Sequence, residues 1–262
     1  MTHKHAATGQ FLNRFSIPIL ASIILLNLPL LAHETVRAED RIQFTTEDYP
    51  PYNFMDAGTP KGAGYDQVKL LMEGIPADYT IEMMPWARAY ALAQSDPQTC
   101  VFTTAHIPER DALFKWIEPL AFDRNIVMSR ADWPHQIHSI KEARQYSIGT
   151  QRNDFTQNFL ERNGFTDIDL AANLELTIHK LESGRIDLMP ISEKFYQKLV
   201  KEGHPVKQQF VLTEQKFAIA CNKDVPDRLI EKMQANLNRL IANGTQAKIF
   251  KTYGLMQQQN TN

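Results

Sequence analysis

Strand patterns alternate with amphipathic helix patterns along this chain, and the alternation runs once, pauses and runs again. Arg41–Thr46 has strand composition and is ended by Tyr49-Pro50-Pro51-Tyr52. From Asp66, a capping residue type, Val68, Leu71, Met72 and Ile75 recur at i, i+3, i+4 and i+7, which predicts a helix. Tyr79–Met84 reads as a second strand, Ala87–Gln94 as a helix and Cys100–Thr104 as a third strand. The second run has a strand at Gln145–Thr150 and a helix at Asp154–Asn163, stopped at Asn163-Gly164. Leu174, Ile178 and Leu181 line a further helix ending at Ser183-Gly184, and Arg185–Met189 follows as a strand. Lys216–Cys221 reads as a strand. An amphipathic helix then runs from Pro226 to Ala242, and a short one from Thr245 to Tyr253. Such alternation gives βαβ units and a largely parallel sheet. The fold class is α/β, in two units without a flexible spacer.

The N-terminus bears on where such a fold would work. Met1 to Phe15 carry Lys4 and Arg14 and no acid, and Ile17 to Ala32 run apolar apart from Ser22, Asn27 and two prolines. Val36-Arg37-Ala38 then places small residues at the −3 and −1 positions of a cut. This is the order of a secretory signal peptide. A membrane anchor needs about 20 apolar residues, more than this broken stretch supplies. Residues 1–38 are therefore expected to be cleaved after Ala38, with no cysteine near the cut to take a lipid anchor.

Composition narrows the classes further. With 43% hydrophobic and 22% charged residues, the chain is not of a disordered type. The full sequence has 28 basic and 30 acidic residues; without Lys4, Arg14, Arg37 and Glu34 the expected product has 25 and 29. A balance of −4 argues against nucleic acid and against anionic membrane surfaces. Two cysteines, Cys100 and Cys221, invite one disulfide in an oxidising compartment, two buried thiols being the alternative.

The string Thr46-Glu47-Asp48-Tyr49-Pro50-Pro51-Tyr52, followed by Gly62-Ala63-Gly64-Tyr65-Asp66, resembles the opening of the bacterial family 3 extracellular solute-binding proteins. The resemblance continues through Ile107-Pro108-Glu109-Arg110, Phe114-Lys115-Trp116-Ile117-Glu118-Pro119-Leu120 and Gly184-Arg185-Ile186-Asp187, in order along nearly the whole mature chain. It implies a two-lobed periplasmic-binding-protein fold (type II), with ligand held in the cleft. Lobe 1 would be 39–128 and 215–262, and lobe 2 would be 129–214. The chain would cross near Asp123–Met128 and return near Leu212–Phe217. Cys100 and Cys221 would then both lie at the sheet edge remote from the cleft, near enough to be bridged.

The resemblance also assigns a site. Arg110 would grip the ligand carboxylate, since a guanidinium offers two parallel charge-assisted bonds; the alternative is a salt bridge to Glu109 or Asp111. Thr103 and Ala105 would add donors beside it. Tyr49 and Trp86 would pack on either side of the ligand, with Glu47 and Arg88 at the cleft edge. In lobe 2, Gln151-Arg152-Asn153-Asp154 replaces the family's small and hydroxyl residues, so Arg152 and Asp154 are the candidates there. Ser192 stands, by count, where the family has the aspartate that pairs with a ligand ammonium. Glu193 or Asp154 would have to substitute.

The function implied is capture of a small polar carboxylate-bearing solute, an amino acid or relative, for an inner-membrane ABC permease. The protein would be a periplasmic monomer without cofactor, metal or catalytic residue. A ligand-presenting sensory protein is the alternative. A dehydratase resembling cyclohexadienyl dehydratase is a further one, with Glu47, Asp154 and Glu193 as its candidate acids. His135-x-x-His138 lacks nearby cysteine and is not read as a metal site.

Overall fold

The computed structural model describes residues 41–255. The expected signal segment and the C-terminal residues 256–262 lie outside the described residues. β1 (Arg41–Thr46) is followed by a small hairpin of β2 (Phe54–Asp56) and β3 (Thr59–Lys61), and then by α1 (Ala63–Met72). β4 (Asp78–Met83), α2 (Trp86–Ser95) and β5 (Thr99–Ala105) continue the run, and α3 (Pro108–Asp111) is a single turn. The 16-residue β6 (Lys115–Arg130) leaves this half of the molecule. Beyond it come α4 (Ile140–Ala143), β7 (Ile148–Gln151), α5 (Phe155–Arg162) and β8 (Ile168–Ala171). α6 (Leu174–Glu182), β9 (Leu188–Ser192) and α7 (Glu193–Lys201) complete the second half. The 16-residue β10 (Val206–Cys221) returns, and α8 (Asp227–Ala242) and α9 (Thr245–Thr252) follow.

The strands form a sheet in the order β4-β1-β5-β10-β6-β9-β7-β8. β6 and β10 pair antiparallel from Val206↔Arg130 to Cys221↔Lys115. At one end β10 also pairs with β5, and at the other β6 pairs with β9. Away from these crossings the pairs β1–β4, β1–β5, β7–β8 and β7–β9 are parallel. This is the expected two-lobed α/β fold. It differs in one respect: each crossing is a long strand, roughly 50 Å at the usual rise, so one continuous sheet runs through both lobes.

Each lobe buries its helices on the sheet. Ile42, Phe44 and Phe102 pack with Val68 and Leu71 of α1 and with Leu229, Met233 and Leu237 of α8. The last three recur every four residues, which puts them on one helix stripe. At the other end of the sheet, Ile126 and Met128 of β6 pack with Ile178 and Leu181 of α6 and with Phe195 and Leu199 of α7. Cys100 and Cys221 are joined by a disulfide and are opposite each other in the β5–β10 register. β5 and β10 are interior strands, so the bridge sits inside the lobe core and not at a sheet edge.

Several boundaries differ from those expected, the start of α1 and the strand before α7 among them. α1 starts three residues before Asp66, capped by loop carbonyls: Ala63 N–H donates to Pro51 O, and the Gly64 and Tyr65 N–H groups donate to Tyr52 O. Gly62 makes this possible, since its φ is 130° and a Cβ there would lie 2.3 Å from Tyr52 O. The strand expected at Arg185–Met189 runs instead from Leu188 to Ser192, directly into α7.

Candidate functional site

A cavity of about 30 Å³ lies between the lobes, about the room of one water molecule. Its wall gathers residues from the ends of several elements. Glu47 and Tyr49 follow β1, Trp86 begins α2, Thr103 and Ala105 end β5, and Arg110 is in α3. Gln151 ends β7 and Asp154 caps α5 from the other lobe, while Asn125 and Gln215 come from the crossing strands. Most of these positions lie at carboxyl ends of parallel strands, where open α/β sheets present their ligand crevices.

Arg110 is 3% exposed. Its Nη1 donates to Ala105 O at 3.3 Å and its Nη2 to Asn153 O at 2.8 Å. The guanidinium lies over the rings of Tyr90 and Trp86, 4.7 and 5.5 Å from their centroids. Burial lowers its pKa from the ordinary arginine value, and the charge of Asp154 opposes that. Among the described residues it has no salt bridge. Glu109 pairs with Arg162 and Asp111 with His106, so the salt-bridge alternative for Arg110 is not what forms. A buried guanidinium held by carbonyls and rings retains capacity for an anion.

Thr103 owes its position to a bulge. In the β5–β10 register Ala218 faces Thr104 and Ile219 faces Phe102, which leaves Thr103 unpaired with φ of 58°. A β-branched residue in that region is strained, and bulges of this kind re-aim a strand beside a site. The Thr103 hydroxyl donates to Asn53 Oδ1 at 2.5 Å.

Two carboxylates face the same space. Glu47 is pushed up to about 8, first by burial and then by the charge of Asp154, with a hydrogen bond to Gln151 opposing. Asp154 accepts from the Thr156 N–H at 2.8 Å and from its hydroxyl at 2.5 Å, as a helix cap. Three amides missed by the sequence reading complete the wall. Asn125, Gln151 and Gln215 are 2%, 4% and 6% exposed, yet Asn125 Oδ1, Gln151 Oε1 and both polar atoms of the Gln215 amide have no hydrogen-bond partner among the described residues. An amide left unmatched at such depth is costly unless a ligand or water completes it. The signal for Asn125 was a lone amide set in a predicted crossing strand, Arg124-Asn125-Ile126-Val127.

Of the ten residues expected in the site, Glu47, Tyr49, Trp86, Thr103, Ala105, Arg110 and Asp154 line the cavity. Arg88, Arg152 and Ser192 do not. Arg88 is exposed on α2 because Trp86, Ala89, Tyr90 and Ala93 take its buried face. Arg152 is exposed in the turn after β7. Ser192 is fully buried as the cap of α7, accepting from Phe195 N–H at 3.1 Å, while its own N–H donates to the Tyr49 hydroxyl at 3.1 Å. Glu193, the possible substitute, is held by Arg124 through two bonds. Among the described residues no three His, Cys, Asp or Glu side chains converge as a metal site.

The profile of the bacterial extracellular solute-binding proteins, family 3, matches residues 42–256. The chain belongs to this family. No curated protein matches it in sequence. Among solved structures, this family 3 protein is similar to an ancestral arginine-binding protein bound to arginine, with a TM-score of 0.75 and 18% identity over 83% of this chain and 99% of that one. A histidine kinase sensor domain with similarity to periplasmic binding proteins gives 0.75 and 16% over 82% and 96%. The substrate-binding protein of an amino acid ABC transporter gives 0.73 and 16% over 81% and 98%. At these identities the likeness is one of fold. No helix among the described residues of this solute-binding protein is long and apolar enough to cross a membrane.

Proposed function

We propose that this protein captures a small polar carboxylate-bearing solute, an amino acid or relative, between its lobes and delivers it to an ABC permease in the inner membrane. The observation that carries this reading is Arg110, a buried guanidinium on the cavity wall that makes no salt bridge among the described residues. The ligand carboxylate takes the place that Asn153 O now holds. Glu47 and Asp154, with the unmatched amide oxygens of Asn125 and Gln151, receive an ammonium or other N–H groups on the same ligand. Tyr49 and Trp86 cover its faces. In this reading residues 1–38 are removed on export and the mature monomer works in the periplasm. Lobe 2 is 129–214, the interval that β6 enters and β10 leaves. The site binds and does not transform, since its carboxylates serve the ligand's cationic group.

The likeness to a sensor domain supports a second destination, presentation of the ligand to a sensor kinase. In both readings the first step is the same closure on ligand. The test is a thermal-shift screen of the mature protein against amino acids, other carboxylates and small cations, repeated with Arg110→Ala. A saturating ligand raises the melting point of the wild type by mass action. The reading requires that carboxylates do so and that the variant lose most of the shift. Equal stabilisation of both proteins would overturn the role given to Arg110.

A further inference from the structure

A second and larger space, of about 480 Å³, opens between the lobes beside the polar cavity. Glu47 and Leu174 line both, so the two spaces are neighbours. One side of the larger space is built from Met55, Met83 and Met84, and the other from Ile178, Phe195 and Leu199. Methionine is unbranched and polarizable, and suits a surface that must adapt to varied apolar shapes. Around this floor stand four carboxylates, Glu47, Asp48, Glu175 and Glu202. Among the described residues Lys198 is the one ammonium lining the space, and it pairs with Glu202 at 2.6 Å. His204 is bonded to Glu182.

The polar cavity and the groove differ in what they can hold. About 30 Å³, the room of one water molecule, does not hold a whole amino acid while the Asn153 contact is in place, whereas 480 Å³ lies in the range of small-molecule pockets. From this pairing we infer that the groove is a side-arm subsite: the ligand's carboxylate sits at Arg110 and a long apolar arm, neutral or cationic at its end, lies along the methionines. This rests on the carboxylate reading of Arg110 and adds to it the size and polarity of the solute. The charge of the rim excludes an arm that ends in a second carboxylate.

Calorimetry on the mature protein with three probes tests this: alanine, 2-aminooctanoate and 2-aminosuberate, the last two of equal length but with the last carrying a terminal carboxylate. Each methylene fully buried in the groove tightens binding about fourfold, so 2-aminooctanoate, five methylenes longer than alanine, should bind up to about 1,000-fold tighter. 2-Aminosuberate should lose at least about tenfold of that gain through like-charge repulsion. Met83→Glu, and Met55→Glu at a position 46% exposed, should each narrow the ratio between 2-aminooctanoate and alanine. If alanine and 2-aminooctanoate bind equally, or the ratio survives both variants, the groove is not the subsite, although the carboxylate reading stands. If none of the three binds, both readings fall together.

Discussion

Arg110 and Asn153 meet across the cleft, the guanidinium Nη2 donating to the Asn153 carbonyl at 2.8 Å. The same oxygen accepts the indole N–H of Trp86 at 2.9 Å. Asn153 has φ of 61°, in the turn that joins β7 to α5, and this conformation aims its carbonyl back at the other lobe. Asparagine tolerates that region better than most residues. One backbone oxygen thus occupies the pair of donors that a ligand carboxylate would use. This contact joins the lobes at the cavity, and in the proposed reading a ligand carboxylate would have to displace it before taking its place.

Trp86→Phe removes one of the two bonds while keeping an aromatic ring beside Tyr90 and Arg110. A neutral hydrogen bond contributes about 1 kcal/mol, so the equilibrium between open and closed unliganded forms should shift about fivefold toward open. Small-angle scattering of the unliganded variant should report a larger radius of gyration, with the compact value restored by ligand. Identical scattering from wild type and variant would show that this contact does not hold the lobes.

Glu47 makes the closed form sensitive to pH. Its carboxyl rises from an ordinary value of 4.5 to about 8, chiefly by burial and then by the charge of Asp154. A raised carboxylate pKa means that the closed form keeps a proton which the solvated group would release. This preference for closure is complete below about 4.5 and is lost as the pH rises toward 8. A ligand ammonium seated on Glu47 needs the ionised carboxylate, so binding at pH 7 should expel close to one proton. Titrations in two buffers of different ionisation enthalpy measure that number, and Glu47→Gln should abolish it. An apparent enthalpy independent of buffer would remove Glu47 from the ligand's cation site.

The fold was legible because its signals are local. β1 appears over the same residues in sequence and structure, and α8 within one residue, since alternation and the i, i+4 stripe depend only on neighbours. That Arg110 and Trp86 line the cavity was legible through the motifs around them. The long crossing strands were seen only in part, because their pairing partners lie far away in sequence. Asn125 and Gln215 are cavity residues only because β6 and β10 bring them there. Ser192 shows the opposite case. Its motif position predicted a ligand contact, but the hydroxyl caps α7 and also bonds to Asp123, which Tyr52 holds at 2.8 Å. Counting along a motif locates a residue on its element and does not say which way the side chain turns.

The motif glycine at position 64 supports Thr103 from behind. A Cβ there would lie 2.8 Å from Thr103 Oγ1 and 3.4 Å from Asn53 Oδ1. Gly64→Ala should therefore push on the strained bulge and lower stability by about 1–3 kcal/mol, as overpacking does. Adding Thr103→Ala removes the obstructing hydroxyl, so the double variant should be more stable than the sum of the single effects predicts. Urea unfolding of the four proteins reads the coupling. Strict additivity would mean that Gly64 does not act through Thr103.

The disulfide lies where it can stabilise the lobe core, away from the cavity. Cys100 and Cys221 are 121 residues apart in sequence, fully buried, and joined at the end of β5 remote from Thr103 and Ala105. Closing so long a loop restricts the unfolded chain, and losing the bridge typically costs about 2–5 kcal/mol. Cys100→Ala with Cys221→Ala should lose that much in urea unfolding while binding ligand within about threefold of wild type, since distant sites behave nearly independently. Intact mass before and after reduction and alkylation confirms the starting bridge. Unchanged stability would refute the entropic role. A fall in affinity larger than about tenfold, in protein shown to be folded, would mean instead that the bridge sets the register of β5 against β10 and through it the Thr103 bulge.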